Sequence, residues 1–589
     1  MSLVYYGFLA RYINLLVFKN KTLGRTLEKQ SAKRGSDTLL LFENEKLSFQ
    51  DFNAQVNRRA HFFQSKGVRK GEVVLLIMEN RPEYLATVCG LAKLGAVTAA
   101  INYNLVGNAL TNLLNSSAAT RIVVGGECLS QFMDVMQSLE KITPNNVYLD
   151  VRWEPEAAPH PAFVNLTQEI HRHKAVNPPD PGLTSLDPFM HIYTSGTTGM
   201  PKPASINHYR WYGAGLVMGY YGLRVTPKDT LLCPLPLYHS NGILIAFSSA
   251  LVNGARFAII RRFSATNFWG DAIKLGATTF IYIGELLRYL VNNPPGKYDR
   301  KHRITRILGN GLRPDIWSKF RFRFNIRDIR EFYASTEGNA YTLNLNNVEG
   351  SVGTTILKTS DNLKVVRYSI EKDDYIRDSA GFLQKCAPEE VGELLAEIKG
   401  LTPFHGYAHK ADTEKKILRN GLKKGDAFFK TGDLVKKDKQ GNYFFIDRIG
   451  DTYRWKGENV STHEVEEIIT AGIPWITFSA VYGVEVPGTE GRVGMAAITL
   501  EPAFEFRPDA LFQYMEEHLP AYARPLFIRV QKEMDVTGTF KKDKKVLKSE
   551  GYNPTRVSDP LYYMDRESKT YVALDSAGMK KITSGWLKV

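Results

Sequence analysis

The stretch Tyr193–Lys202, "YTSGTTGMPK", packs three threonines, one serine, one lysine and two glycines into ten residues. It follows the apolar run "FMHI", which reads as a buried strand, so the glycines fall where that strand ends. In an open, mostly parallel sheet, that is where ligands bind. Glycines let backbone N–H groups close on an anion, Thr194, Ser195, Thr197 and Thr198 add hydroxyl donors, and Lys202 adds a charge. Phosphate is the natural guest. The interval from Gly196 to Gly199, followed by Met-Pro-Lys, excludes the Walker A loop. Pro201 and Pro203 favour an exposed, partly rigid loop over a helix start.

Outward from this loop the chain alternates short apolar runs with helical ones. Upstream stand "VVLLIME", "RPEYLATVCGLAKLG", "AVTAAIN", "GNALTNLLNSSA", "RIVVGG", "CLSQFMDVMQSLE" and "NNVYLD"; downstream come a helical run from Ile206, "DTLLCPLP", a helix near Ile243 to Leu251, "RFAIIRRF", "TNFWGDAIKLG", "TTFIYIG" and "ELLRYLVNN". This rhythm means crossover units and mostly parallel sheets. The polar, proline-rich stretch from Trp153 to Leu183 reads as a surface connection. From Leu363 the texture becomes glycine-punctuated β segments, with a hairpin at Gly441-Asn442. A smaller α+β unit follows, with "STHEVEEIITA" and "ALFQYMEEHLP" as helices and "FSAVYGVEV" and "GMAAITLE" as strands. The expected class is α/β: a large N-terminal domain of α/β lobes plus a β subdomain over residues 21–447, and a small mobile α+β domain over 448–589.

Lys and Arg exceed Asp and Glu by 15 in 589 residues, which favours anionic partners such as nucleotides, coenzymes and acidic lipid surfaces. No RNA-binding or helix-turn-helix signature supports nucleic acid. Four scattered cysteines form no CxxC pair, which fits a reducing, cytoplasmic setting. The opening "MSLVYYGFLARYINLLVFKN" is apolar and aromatic but broken by Arg11 and Asn14, short of the ~20 residues of a bilayer span. It reads as a helix lying on a membrane surface, as a terminal helix docked on the protein itself, or, third in order, as a true span.

"YTSGTTGMPK" resembles the phosphate loop of the adenylate-forming superfamily, which includes acyl-CoA synthetases, luciferases and peptide-synthetase adenylation domains, and further stretches recur in that superfamily's order along nearly the whole chain. The resemblance implies ATP and CoA as co-substrates with Mg²⁺. It places Thr194, Ser195, Gly196, Thr197, Thr198, Gly199 and Lys202 around the phosphates. In "PLYHSNG", His239 would flank the carboxylate pocket. In "ILGNGLRPD", Gly309 and Asn310 would approach adenine. In "FYASTEGN", Tyr333 would stack on the base, Thr336 would contact phosphate and Glu337 would bind Mg²⁺. Asp433 of "FFKTGDL" would accept from the ribose hydroxyls, Arg448 would meet ribose and phosphate, and Lys456-Gly457 would face the second-step substrate. The lysine of the first step is Lys541, with Lys542 as the alternative, because "VTGTFKKDKK" spaces them differently from the usual Thr-Gly-Lys.

"TGTFK", "DRIGDTYRWKGENVST", "YIGELLRYLVNNP" and "YNPTRVSDPLYYMD" are similar to the fatty-acid transport protein and very-long-chain acyl-CoA synthetase branch. That implies a long- or very-long-chain fatty acid:CoA ligase working through an acyl-adenylate at the inner face of a membrane, with a hinge at Arg448–Asp451 bearing Gly450. Two alternatives stay open: a membrane fatty acid transporter with secondary catalysis, and a ligase for another hydrophobic carboxylate such as a bile acid.

Overall fold

A computed structural model describes residues 20–154, 160–194, 201–355, 362–399, 404–455, 458–487, 489, 491–533 and 544–583. The expected N-terminal surface helix, residues 1–20, lies outside the described residues but for its last. The chain separates into two compact units. One comprises residues up to Leu312 with Lys319–Asn347 and Lys399–Lys416; the other holds Arg313–Ser318, Val348–Ile398 and everything from Ile417.

The first unit is built on two large sheets. The seven-stranded sheet runs in the order Val164–Asn165, Val147–Asp150, Arg121–Gly125, Val73–Ile77, Val97–Ile101, Pro188–Thr194, Lys202–Asn207. All its pairings are parallel except the last, an antiparallel hairpin. The eight-stranded sheet has parallel strands at its centre, among them Thr230–Cys233, Thr279–Ile283, Arg306–Asn310 and Asp328–Ala334, and an antiparallel strand at each edge. The helix Pro82–Lys93 shows why the run "PEYLATVCGLAK" is apolar on every side: each of its residues is buried. Its proline stands in the first turn, where the missing N–H costs nothing. Buried charge in this unit is paired, with Arg59 Nη2 3.0 Å from Asp150 Oδ2 and both side chains nearly inaccessible.

Two expectations change here. Residues 202–207 form a strand where a helical run was expected from Ile206, and the helix starts at His208. Pro203 is tolerated because this is the border strand of the sheet, where a missing N–H breaks no ladder toward an inner neighbour. The stretch from Trp153 to Leu183 is more than a surface connection: it contributes the strand Val164–Asn165 and the helix Leu166–Glu169, and it buries Phe163, Leu166 and Ile170. Its polar composition hid three well-spaced apolar anchors.

The second unit holds a five-stranded antiparallel sheet in which Ala427–Lys437 and Tyr443–Arg448 form the expected hairpin, with Gly441 at φ +93° in its turn. A further five-stranded sheet, Ile476–Val484, Val493–Leu500, Phe527–Gln531, Leu561–Asp565 and Thr570–Ala573, packs with the helices Thr462–Gly472 and Pro508–His518. The first of these helices is capped by Ser461, whose hydroxyl accepts from the Glu464 N–H at 3.2 Å.

Candidate active site

In the first unit the candidate site is set by where parallel strands of both sheets stop. Pro188–Thr194 delivers Thr194 to the start of the glycine loop, and Lys202 opens the returning strand directly opposite it in register. Thr194 Oγ1 donates to the Lys202 carbonyl at 3.4 Å. Ser195, Gly196, Thr197, Thr198 and Gly199 lie outside the described residues. The Lys202 ammonium is 2.7 Å from Asp412, which holds the Asp412 carboxyl below its ordinary pKa.

A strap over residues 404–408 runs beside that hairpin. Ser205 N–H donates to the Gly406 carbonyl at 3.2 Å and Ala408 N–H to the Pro203 carbonyl at 2.9 Å. The strap carries Tyr407, whose hydroxyl donates to Glu337 Oε1 at 3.0 Å. Burial, then the Glu337 charge, pushes the Tyr407 phenol up. Lys202, Thr194, Tyr407 and Glu337 are thereby gathered from three separate stretches of chain.

The segment after Asp328–Ala334 carries Thr336 and Glu337, both half-buried. Thr336 Oγ1 donates to Ser240 Oγ at 3.3 Å. Arg210, from the helix His208–Ala214, braces this segment by donating Nη2 to the carbonyls of Ser335 at 3.3 Å and Gly338 at 2.9 Å. Burial lowers the Arg210 pKa to about 10, against the opposing pull of Glu337. Tyr333 is buried near the end of its strand.

The loop after Arg306–Asn310 is held from the neighbouring strand. Gly311, at φ +79°, and Leu312 donate their N–H groups to Glu331 Oε2 and Oε1 at 3.0 and 3.3 Å, while the Tyr282 hydroxyl donates to Oε1 at 2.5 Å. Gly309 admits no side chain, since a Cβ there would lie 2.2 Å from the Tyr282 carbonyl oxygen. Asn310 Oδ1 accepts from Asn241 Nδ2 at 2.9 Å.

Beside these groups lies a cavity of about 160 Å³, walled by Val217, Met218, Leu244, Ile245 and Phe332, with Ser240, Asn241, Thr336 and His405 supplying polar edges. Its helical walls, Gly215–Gly222 and Asn241–Phe247, are both wound as π-helix, a form that recurs at functional sites. The first of them packs closely, through glycine, on the helix Ser248–Asn253 that continues the second: a Cβ on Gly219 would stand 2.8 Å from Ser249 Cα. His239 is half-buried just ahead of Ser240, its ring centroid 5.0 Å from that of Tyr238. Burial, then Arg210, lowers the His405 pKa to about 4, so this ring is neutral near neutrality.

In the second unit Asp433 and Arg448 are cross-strand partners, with Arg448 Nε 3.6 Å from Asp433 Oδ1. Lys541, Lys542, Lys456 and Gly457 lie outside the described residues. The helix Lys544–Glu550, just beyond Lys541, is fastened by Lys544 Nζ, 2.8 Å from both Thr462 Oγ1 and Glu466 Oε1. Lys548 Nζ donates to the Gly450 carbonyl at 3.1 Å and pairs with Asp451 at 2.9 Å.

Sequence reasoning missed Tyr407, Asp412, Arg210 and Glu331. The first three act across long intervals of chain or through backbone carbonyls, which leave no local pattern. Glu331 lies close to Tyr333 on the same strand, and a carboxylate alternating inward on a buried strand was the available signal.

The chain matches the family of AMP-binding enzymes over residues 27–408 and the AMP-binding enzyme C-terminal domain over residues 464–541. It belongs to that family. Among the relatives of this AMP-binding enzyme is the rat (Rattus norvegicus) long-chain fatty acid transport protein 2, 40% identical over 563 residues that cover 94% of this chain and 89% of the relative. The Mycobacterium tuberculosis medium/long-chain-fatty-acid–CoA ligase FadD6 is 36% identical over 554 residues, again covering 94% and 89%. Among solved structures, the anthranilate CoA ligase AuaEII bound to anthranoyl-AMP superposes with a TM-score of 0.77 at 20% identity, over 90% of this chain and 96% of that one. That likeness supports the fold.

Proposed function

We infer that the chain is an AMP-forming fatty acid–CoA ligase: fatty acid, ATP and CoA give acyl-CoA, AMP and pyrophosphate. The observation that carries this reading is the convergence, in an AMP-binding enzyme related to a fatty acid–CoA ligase, of Thr194, Lys202, Thr336 and Glu337 beside an apolar cavity.

A carboxylate is a poor acyl donor, because its oxygen leaves badly and its charge repels nucleophiles. In the first step a carboxylate oxygen attacks the α-phosphorus, the α–β phosphoanhydride bond breaks and pyrophosphate leaves. The glycine loop and Lys202 hold the phosphates, and the apolar cavity receives the start of the acyl chain. Lys202 exchanges Asp412 for phosphate as ATP enters. Lys541, with Lys542 as the alternative, neutralises charge between carboxylate and α-phosphate. In the second step the CoA thiol, giving up its proton, attacks the acyl carbon and AMP leaves. Gly309 and Asn310 face adenine and Tyr333 stacks on it, Asp433 accepts from ribose, and Arg448 meets ribose and phosphate. His239 flanks the carboxylate, and Lys456-Gly457 face CoA.

Magnesium suits Glu337, a hard carboxylate whose Oε1 is already oriented by Tyr407. Among the described residues no cluster of three or more His, Cys, Asp or Glu could cage a metal, which fits an ion held mainly by phosphate oxygens and water. When bound, the ion screens phosphate charge.

Free acids of graded length, assayed for AMP and pyrophosphate release with and without CoA, test the reading. CoA-dependent AMP release with acids of long chain, abolished by Glu337→Ala, is expected; formation of ADP alone would overturn it. A second reading, fatty acid transport, is favoured by the name of the rat relative. Uptake into cells that persists with Glu337→Ala would support it; uptake that falls with activity means the ligase traps the acid as its thioester. No helix among the described residues is long and apolar enough to cross a bilayer. We place the protein at the inner face of a membrane, where its substrate partitions.

A further inference from the structure

On the first unit, the loop 292–303 and residues 319–327, helical as far as Phe324, form one continuous surface. Arg300 ties them by donating Nε to the Arg323 carbonyl at 3.1 Å and Nη2 to the Phe322 carbonyl at 2.9 Å, and Arg323 pairs with Asp299 at 2.8 Å. Seven cations stand exposed here: Lys297, Arg300, Lys301, Arg303, Lys319, Arg321 and Arg327. Among the described residues none of them pairs with a carboxylate, and Asp299, the acid in these two stretches, is spent on Arg323. Two aromatic rings stand out among the cations. Phe322 is 79% exposed and Tyr298 38%, with the Arg300 guanidinium 5.5 Å from the Phe322 ring centre and the Lys297 ammonium 4.8 Å from that of Tyr298.

A run of lysines and arginines alone is ordinarily a solvated face. Apolar rings held outward among cations that no carboxylate pairs need a different account, because Phe322, met by Arg300, still stays largely exposed. Anionic headgroups neutralise the cations while the rings enter the boundary between headgroups and acyl chains. The surface also lies at the starting ends of the strands Arg306–Asn310 and Asp328–Ala334, whereas Asn310 and Thr336 mark their finishing ends. Contact here leaves the catalytic end free.

We propose that this basic and aromatic surface, centred on Phe322 and Tyr298, docks the enzyme on an anionic lipid bilayer. This deepens the membrane placement given above and rests on it. The test uses the full chain with vesicles of phosphatidylcholine, alone or with about one third phosphatidylserine. Binding to the anionic vesicles should fall at least about tenfold in the triple variant Lys301→Glu, Arg303→Glu, Arg321→Glu, since each cation near such a surface contributes severalfold. AMP release with a soluble short acid should be unchanged. Because residues 1–20 could bind lipid independently, a local readout is added: the indole fluorescence of Phe322→Trp should shift to the blue and be quenched by brominated lipid, whereas that of Val176→Trp, placed at another exposed position, should not. If wild type fails to float with any vesicle, the membrane placement itself fails. If it floats while the indole of Phe322→Trp stays unquenched and the triple variant binds equally, the docking surface is wrong. Patch-dependent binding of polyuridylate without vesicle binding would assign the surface to nucleic acid and overturn the proposal.

Discussion

Glu331 shows how one buried residue shapes a loop it does not belong to. Its two oxygens accept from Gly311, Leu312 and Tyr282, and burial raises its pKa to about 8. Glutamine offers a single acceptor oxygen, so Glu331→Gln should lose one loop hydrogen bond and raise KM for ATP about 3- to 10-fold, with kcat changed much less. Glu331→Ala should raise it further; an equal fall in kcat for both would mean a general packing defect. The sign of the pH effect follows. Between the ordinary glutamate pKa near ~4.3 and about 8, the unfolded chain has lost a proton that the folded chain keeps, so this group makes stability fall as pH rises. Measured as the difference from wild type at each pH, the Tm of the glutamine variant should rise from pH 5 to 8, because only this group's opposing slope has been removed. The motif residues Thr336, Glu337 and Lys202 were legible because loop chemistry is written locally. Tyr407 and Arg210 were not, since their partners lie far along the chain.

Among the elements, the turn after Tyr443–Arg448 carries a glycine that its present conformation does not require. Gly450 has no left-handed φ, and a Cβ there would meet nothing within 4 Å. A glycine there is compatible with the expected hinge, which we propose and which substitutions at this position test. Gly450→Ala should leave Tm unchanged or slightly raised. Gly450→Pro should spare ATP–pyrophosphate exchange and block thioester formation; equal loss of both would remove the hinge. Movement there must also release Lys548 from Gly450 and Asp451. The crossover strands were readable from short, uninterrupted apolar runs. The strand Lys202–Asn207 was not, because two nearby prolines argue against a strand unless it borders the sheet. Nor does apolar periodicity separate the π-helical walls of the cavity from ordinary helix, since both bury the same residues.

For the whole molecule, acid is the condition that tests the core of the first unit. Burial lowers His191 and His405 to about 4 and His208 to about 3, and His208 Nδ1 accepts from the Leu23 N–H at 3.2 Å, which a protonated ring could not do. A lowered histidine pKa means that the unfolded chain takes up protons first, from about pH 6.5 downward. The stability these groups contribute is full above that pH and is lost as pH falls toward 4. Tm should drop between pH 7 and 4.5, and His405→Asn should make the drop shallower; a flat profile would show that these rings are not held neutral. The strap over residues 404–408 has a different consequence. Pro203 has no N–H to offer along the sheet border, and the strap occupies the carbonyls and amides beside it. The border strand Lys202–Asn207 thus presents no template for strand addition by a second chain, so resistance to aggregation rests on one proline and one short strap.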